Sequence, residues 1–175
     1  MTPESPLPEE QTLFPQALLE LAAGTLAAAR EAGIRLATAE TVTAGLISAC
    51  LTSVAGASET FERGFVLYHS SAKATGLGVS EDVAARYGAV SAEVTRGLAE
   101  GVLRHSQAGA AVAITGYAGP GGGNERNPVG TVYIAAARRG MPVLEERYVF
   151  SGGRDSVKLQ GVAAAIKLLR KQIAA

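Results

Sequence analysis

The stretch AAVAITGYAGPGGGNERNPVGTVYIAAA, Ala110 to Ala137, decides the fold. Its opening, Ala110 to Thr115, is a short uninterrupted apolar run next to glycine, the pattern of a strand covered on both faces. Its close, Thr131 to Ala137, is apolar again. Together with Val143 to Phe150 it flanks the turn sequence RRGMP, and the pair predicts an antiparallel hairpin. Between the apolar runs, Thr115 to Gly130 holds six of the 21 glycines in the chain, where average usage of about 7% would give about 12 overall. Such a connection is long for a compact domain. It reads either as a plain flexible link or as a ligand loop whose glycines let backbone amides approach a bound group.

Upstream, Pro15 to about Ala32 has Leu18, Leu21, Ala22, Leu26 and Ala29 on one helical stripe, with Gly33 as a stop. Ile34 to Thr38 is a short strand candidate, Thr43 to Val54 a buried helix, and Phe61 to His69 the next strand. Ser80, backed by Glu81 and Asp82, starts a helix that Gly88 ends. Ser91 starts a longer one running to about Ser106. Downstream of the hairpin, Arg154 to about Ile173 is a final helix, apolar at Val157, Val162, Ile166 and Leu169. Strands separated by helices pair in parallel and the hairpin adds antiparallel pairing. The predicted fold is therefore α/β: a three-layer α/β/α sandwich whose mixed sheet ends in an antiparallel hairpin.

The chain has 175 residues, 47% hydrophobic and 18% charged, with 16 basic and 16 acidic side chains. This length predicts one domain, residues 15–175, preceded by a flexible tail, residues 1–14, that is rich in proline and glutamate. A single cysteine, Cys50, excludes an internal disulfide and fits a reducing compartment. Zero net charge argues against a basic track for nucleic acid. Charges interrupt every apolar run before the roughly 20 residues of a membrane span, and the acidic, proline-rich start is unlike a signal peptide. The cytoplasm is the expected location.

Three segments lie at strand ends leading into helices or loops, where ligands of α/β folds bind. In AETVTAG, Thr41 or Thr43 would sit near the first turn of a helix, either capping it or helping to hold an oxyanion. Glu40 is open between capping, ion pairing and catalysis. In YHSSAK, Lys73 is either a solvated lysine or, desolvated in a pocket, a base with Tyr68 to orient or relay the proton. The two histidines, His69 and His105, have no metal-ligand spacing, so neither metal nor cofactor is expected. TGYAGPGGG lacks the lysine of a phosphate loop, which argues against a nucleoside triphosphate site.

Taken in order, AETVTAG, FERGFVLYHSSAK, YGAVS, ITGYAGPGGG, NPVGTVY and FSGGRDSVK resemble the C-terminal domain of the competence/damage-inducible protein CinA, over about Ala37 to Lys158. The chain is too short for the additional N-terminal, molybdopterin-binding-like domain of full-length members. The resemblance implies nicotinamide-nucleotide amidase activity in pyridine-nucleotide salvage: hydrolysis of nicotinamide mononucleotide to nicotinic acid mononucleotide and ammonia, without metal. The family pattern AESCTGG supplies a serine nucleophile, with a lysine base and an assisting tyrosine. Carried onto this chain, the catalytic set is Thr41, Lys73 and Tyr68. Amides around Thr43, Ala44 and Gly45 would hold the oxyanion. Thr115, the loop glycines Gly116, Gly119 and Gly121, and Arg154 would bind ribose and phosphate. A homodimer is compatible with the resemblance.

The departures are specific. Thr41 replaces the family serine, Val42 the cysteine and Ala44 the first glycine, and the family GDR has become Gly152, Gly153 and Arg154. The methyl of threonine restricts rotation about its first side-chain bond, and Ala44 is strained if its backbone must be left-handed. Two functions follow: an amidase with Thr41 as nucleophile, or a nucleotide-binding or regulatory domain that keeps the pocket but has lost efficient hydrolysis.

Overall fold

The computed structural model describes residues 12–175. Most of the expected tail therefore lies outside the described residues. At its inner end Phe14 is buried in the core, one residue before the expected domain start. The helices are α1 (Gln16–Glu31), α2 (Leu46–Thr52), α3 (Ser70–Leu77), α4 (Glu81–Tyr87), α5 (Ala92–Arg104) and α6 (Arg154–Ala174). The strands are β1 (Leu36–Glu40), β2 (Phe61–Val66), β3 (Ala110–Gly116), β4 (Thr131–Arg138) and β5 (Leu144–Val149).

They form one sheet in the order β2-β1-β3-β4-β5. β1 pairs in parallel with both β2 and β3, while β3–β4 and β4–β5 are antiparallel. The mixed sheet and terminal hairpin expected from the sequence are the observed ones. Leu36, Val112, Ile114, Val132 and Ile134 pack on one face, in a core with α1, α2 and α6. The other face is nearly all alanine: Ala37, Ala39, Ala111, Ala113, Ala135 and Ala137 meet α5, with α3 and α4 outside it. Small side chains there let α5 lie close to the sheet. At Gly101 of α5 a Cβ would come within 2.5 Å of the Leu77 carbonyl oxygen, so the α3–α5 approach requires glycine.

Two local differences from the sequence reading shape the site. β2 stops at Val66 and a helix, α3, begins at Ser70, where the sequence continued the strand to His69. His69 itself is extended and its ring accepts from the Ser71 amide, capping the helix. α2 begins at Leu46 rather than Thr43, because Ala44 (φ 52°) and Gly45 (φ 99°) are both left-handed, which turns 41–45 into a tight loop. Since β1, β2 and β3 are parallel, their carboxyl ends share one edge, with Glu40 level with Val66 and Ile114. The loops leaving that edge, with the first turn of α6, build the site.

Candidate active site

The buried carboxylate of Glu40 holds the 41–45 turn. One oxygen, Oε2, accepts from the Thr43 hydroxyl (2.8 Å) and from the amides of Gly45 and Ile47 (3.0 Å each). The other, Oε1, accepts from the Ser48 amide (2.8 Å), the Ser48 hydroxyl (2.7 Å) and, more distantly, the Thr38 hydroxyl (3.4 Å). Of the roles open to Glu40 in the sequence, the structure shows capping: it satisfies the first turn of α2 from the end of β1.

The same contacts redistribute the oxyanion donors expected around Thr43 to Gly45. The amides of Thr41, Ala44, Gly45 and Leu46 are taken by Ile114 O, Thr41 O, Glu40 Oε2 and Thr43 O. Among the described residues, the turn amides left without an acceptor are those of Val42 and Thr43. Ala44 is exposed in its left-handed conformation, which costs an L-residue about 1–2 kcal/mol. Ala44→Gly is expected to raise stability by about 0.5–1 kcal/mol, the relief of strain exceeding the added unfolded-state entropy; urea unfolding measures it.

Thr41, Tyr68, Lys73 and Arg154 line one cavity of about 240 Å³. Val42, Val90 and Ala118 give it apolar walls, while Ser70, Ala89 and the loop residues Gly116, Tyr117, Gly119 and Gly121 complete it. Thr41, 7% exposed, donates its hydroxyl to the Ile114 carbonyl at 3.0 Å. Lys73, on α3 and 6% exposed, donates to the Ala89 carbonyl at 2.6 Å. The two are therefore neighbours in one cavity without a direct hydrogen bond. Burial pushes the Lys73 ammonium below the usual lysine range.

At the mouth, Arg154 ties three segments together. Its guanidinium donates to the Tyr68 hydroxyl and to the Gly119 carbonyl, each at 2.7 Å. Tyr68 is 61% exposed. Gly153, at the N-cap of α6, makes no side-chain cap.

Several residues singled out in the sequence are not among those lining the cavity. Thr43, Ala44 and Gly45 stand behind it, at the Glu40 turn. Thr115 is fully buried, its hydroxyl 2.8 Å from that of Thr95 on α5. Conversely, Ser70, Ala89, Val90, Tyr117 and Ala118 line the cavity with no individual sequence signal, although YGAVS and TGYAGPGGG marked their segments.

An α/β sheet whose parallel strand ends open onto a cavity with a threonine hydroxyl, a buried lysine and an arginine has its polar groups where α/β folds place ligand sites. A family model, the CinA C-terminal domain, matches residues 18–173. This chain belongs to the CinA C-terminal domain family. Nicotinamide-nucleotide amidohydrolase PncC of Escherichia coli strain K12 is 44% identical over 128 residues, 73% of this chain and 78% of that relative. A putative competence-damage inducible protein of Caldicellulosiruptor bescii is 46% identical over 129 residues; the match takes in 74% of this chain but 31% of that longer relative. The crystal structure of competence/damage inducible protein CihA from Agrobacterium tumefaciens superposes with a TM-score of 0.90 at 39% identity, covering 93% of this chain and 99% of that one. Among the described residues no helix is long and apolar enough to cross a membrane.

Proposed function

We propose that this chain is an amidase that hydrolyses nicotinamide mononucleotide to nicotinic acid mononucleotide and ammonia. The observation that carries the reading is the meeting of Thr41, Lys73, Tyr68 and Arg154 around one cavity that, among the described residues, no carboxylate lines. The Arg154 guanidinium suits an anionic nucleotide, its planar fork of donors matching a phosphate. The E. coli relative named as a nicotinamide-nucleotide amidohydrolase supports the same substrate class.

In this mechanism Thr41 Oγ attacks the carboxamide carbon while its proton passes to Lys73. The resulting oxyanion is held by the amide of Val42, which lines the cavity and has no acceptor among the described residues. As the tetrahedral intermediate collapses, the C–N bond breaks, Tyr68 gives its proton to the departing amide nitrogen, which leaves as ammonia, and Tyr68 recovers a proton from the Lys73 ammonium. Water then attacks the ester on Thr41, regenerating the hydroxyl and releasing the carboxylate. The Thr41 proton starts on Ile114 O and Lys73 starts on Ala89 O, so both bonds exchange for their mutual contact when substrate enters; catalytic hydrogen bonds often tighten only in the bound complex.

That same geometry favours the second reading, a nucleotide-binding domain with impaired hydrolysis. Threonine resists the rotation that a serine would make freely. The two readings separate in one assay, ammonia release from nicotinamide mononucleotide by the unaltered protein and by Thr41→Ser. The amidase reading expects turnover in the first and a rise of about tenfold in the second. Nucleotide binding without ammonia release from the unaltered protein would select the binding domain.

A further inference from the structure

We propose that Asn127 is a positioning residue for Lys73, acting through the Ala89–Val90 segment between α4 and α5. The inference rests on reading Lys73 as the base. Asn127 lies in the glycine-rich loop, 6% exposed and outside the cavity lining. Its Nδ2 donates to the Val90 carbonyl at 3.2 Å and its Oδ1 accepts from the Tyr133 hydroxyl at 2.8 Å. A carbonyl only accepts, which fixes which way the amide points. The Asn127 backbone is clamped to Asn124, whose Oδ1 accepts from the Asn127 amide (2.8 Å) and whose amide donates back to the Asn127 carbonyl (2.9 Å).

Tyr133, on β4, is held in turn. Arg147 of β5 donates to its hydroxyl at 3.2 Å, reaches the Arg126 carbonyl at 3.0 Å, and lies 5.7 Å over its ring. The hairpin thus anchors Asn127, and Asn127 anchors the short segment whose neighbouring carbonyl, Ala89 O, receives the Lys73 ammonium at 2.6 Å. Gly88 O is fixed next door by the Ser91 hydroxyl at 2.9 Å. Three successive carbonyls, of Gly88, Ala89 and Val90, therefore have one side-chain donor each. Losing the third frees the peptide on which Lys73 rests, admits water to the amine, and returns it toward the protonated state. Among the described residues, the titratable groups that share the cavity with Lys73 are Tyr68, Tyr117 and Arg154, and no carboxylate lines it.

The test follows acylation of Lys73 by acetic anhydride against pH, quantified on the Lys73 peptide, in the full chain, Asn127→Leu and Tyr133→Phe. The expected result is a Lys73 midpoint higher by about one pH unit in Asn127→Leu and a smaller rise in Tyr133→Phe. On nicotinamide mononucleotide, kcat near neutrality should fall about tenfold with KM within about threefold. A folded Asn127→Leu protein with the Lys73 midpoint and kcat unchanged overturns the proposal. If that variant does not fold, Tyr133→Phe decides by the same midpoint: a rise supports it, no change overturns it. Should the unaltered chain release no ammonia, the amidase reading fails, yet the Lys73 midpoints still decide the role of Asn127.

Discussion

With Lys73 replaced by alanine, ammonia release from nicotinamide mononucleotide is expected to fall by about two to four orders of magnitude, the usual contribution of a positioned general base. The fold should survive. Among the described residues the Lys73 amine makes one hydrogen bond, to Ala89 O, and its burial disfavours the charged form, so on the amidase reading its presence serves chemistry more than stability. The sign is explicit: with its folded pKa lowered, Lys73 makes folding less favourable at low pH and this penalty fades as pH climbs from the folded value toward the unfolded one. On the amidase reading it acts as a base when deprotonated, so activity should rise with pH through the lowered pKa, ahead of the usual lysine value of about 10.4. Steady-state rates and thermal unfolding of Lys73→Ala separate the two effects: activity lost, melting temperature held.

Replacing Glu40 with alanine is expected to have the largest effect on stability, about 3–5 kcal/mol, and to abolish turnover with it. Six donors converge on this carboxylate: three hydroxyls, from Thr38, Thr43 and Ser48, and three amides, from Gly45, Ile47 and Ser48. The truncation leaves buried members of that set without an acceptor and releases the turn that presents Thr41. Glu40→Gln should be milder, since one amide oxygen still accepts, while its NH2 group faces donors. Urea unfolding of the two variants measures the difference. The effect differs in kind from that at Lys73: on the amidase reading Glu40 carries no reacting atom and shapes the turn that presents Thr41.

Much of this architecture was legible in the sequence, for identifiable reasons. The apolar runs at Ala110–Thr115 and Thr131–Ala137 have one structural outcome when a hairpin follows, and the sheet formed as they predict. Ser80 and Ser91, both read in the sequence as helix starts, are side-chain caps in the structure. The left-handed backbone of Ala44 entered the sequence reading only as a condition, through the family glycine it replaces, and the structure meets that condition. By contrast, α3 carries no apolar stripe in SSAKATGL and is capped by a histidine, outside the usual Ser, Thr, Asp and Asn set. Its start after the strand was therefore invisible.

The role of Glu40 was hidden because its acceptor oxygens reach amides five to eight residues ahead, beyond the spacing of an N-cap side chain. The carbonyls of Ala89 and Ile114 that hold Lys73 and Thr41 leave no mark in side-chain chemistry at all. Thr115 reads in sequence as a strand-end donor toward a ligand, but strand alternation turns it to the α5 face, against Thr95.

The most direct test of the amidase reading is incubation of the unaltered protein with nicotinamide mononucleotide, with ammonia and nicotinic acid mononucleotide both quantified over time. The prediction is continuous, equimolar release of the two products over many turnovers. Nucleotide that binds the protein and is recovered unchanged, with no ammonia formed, would contradict it.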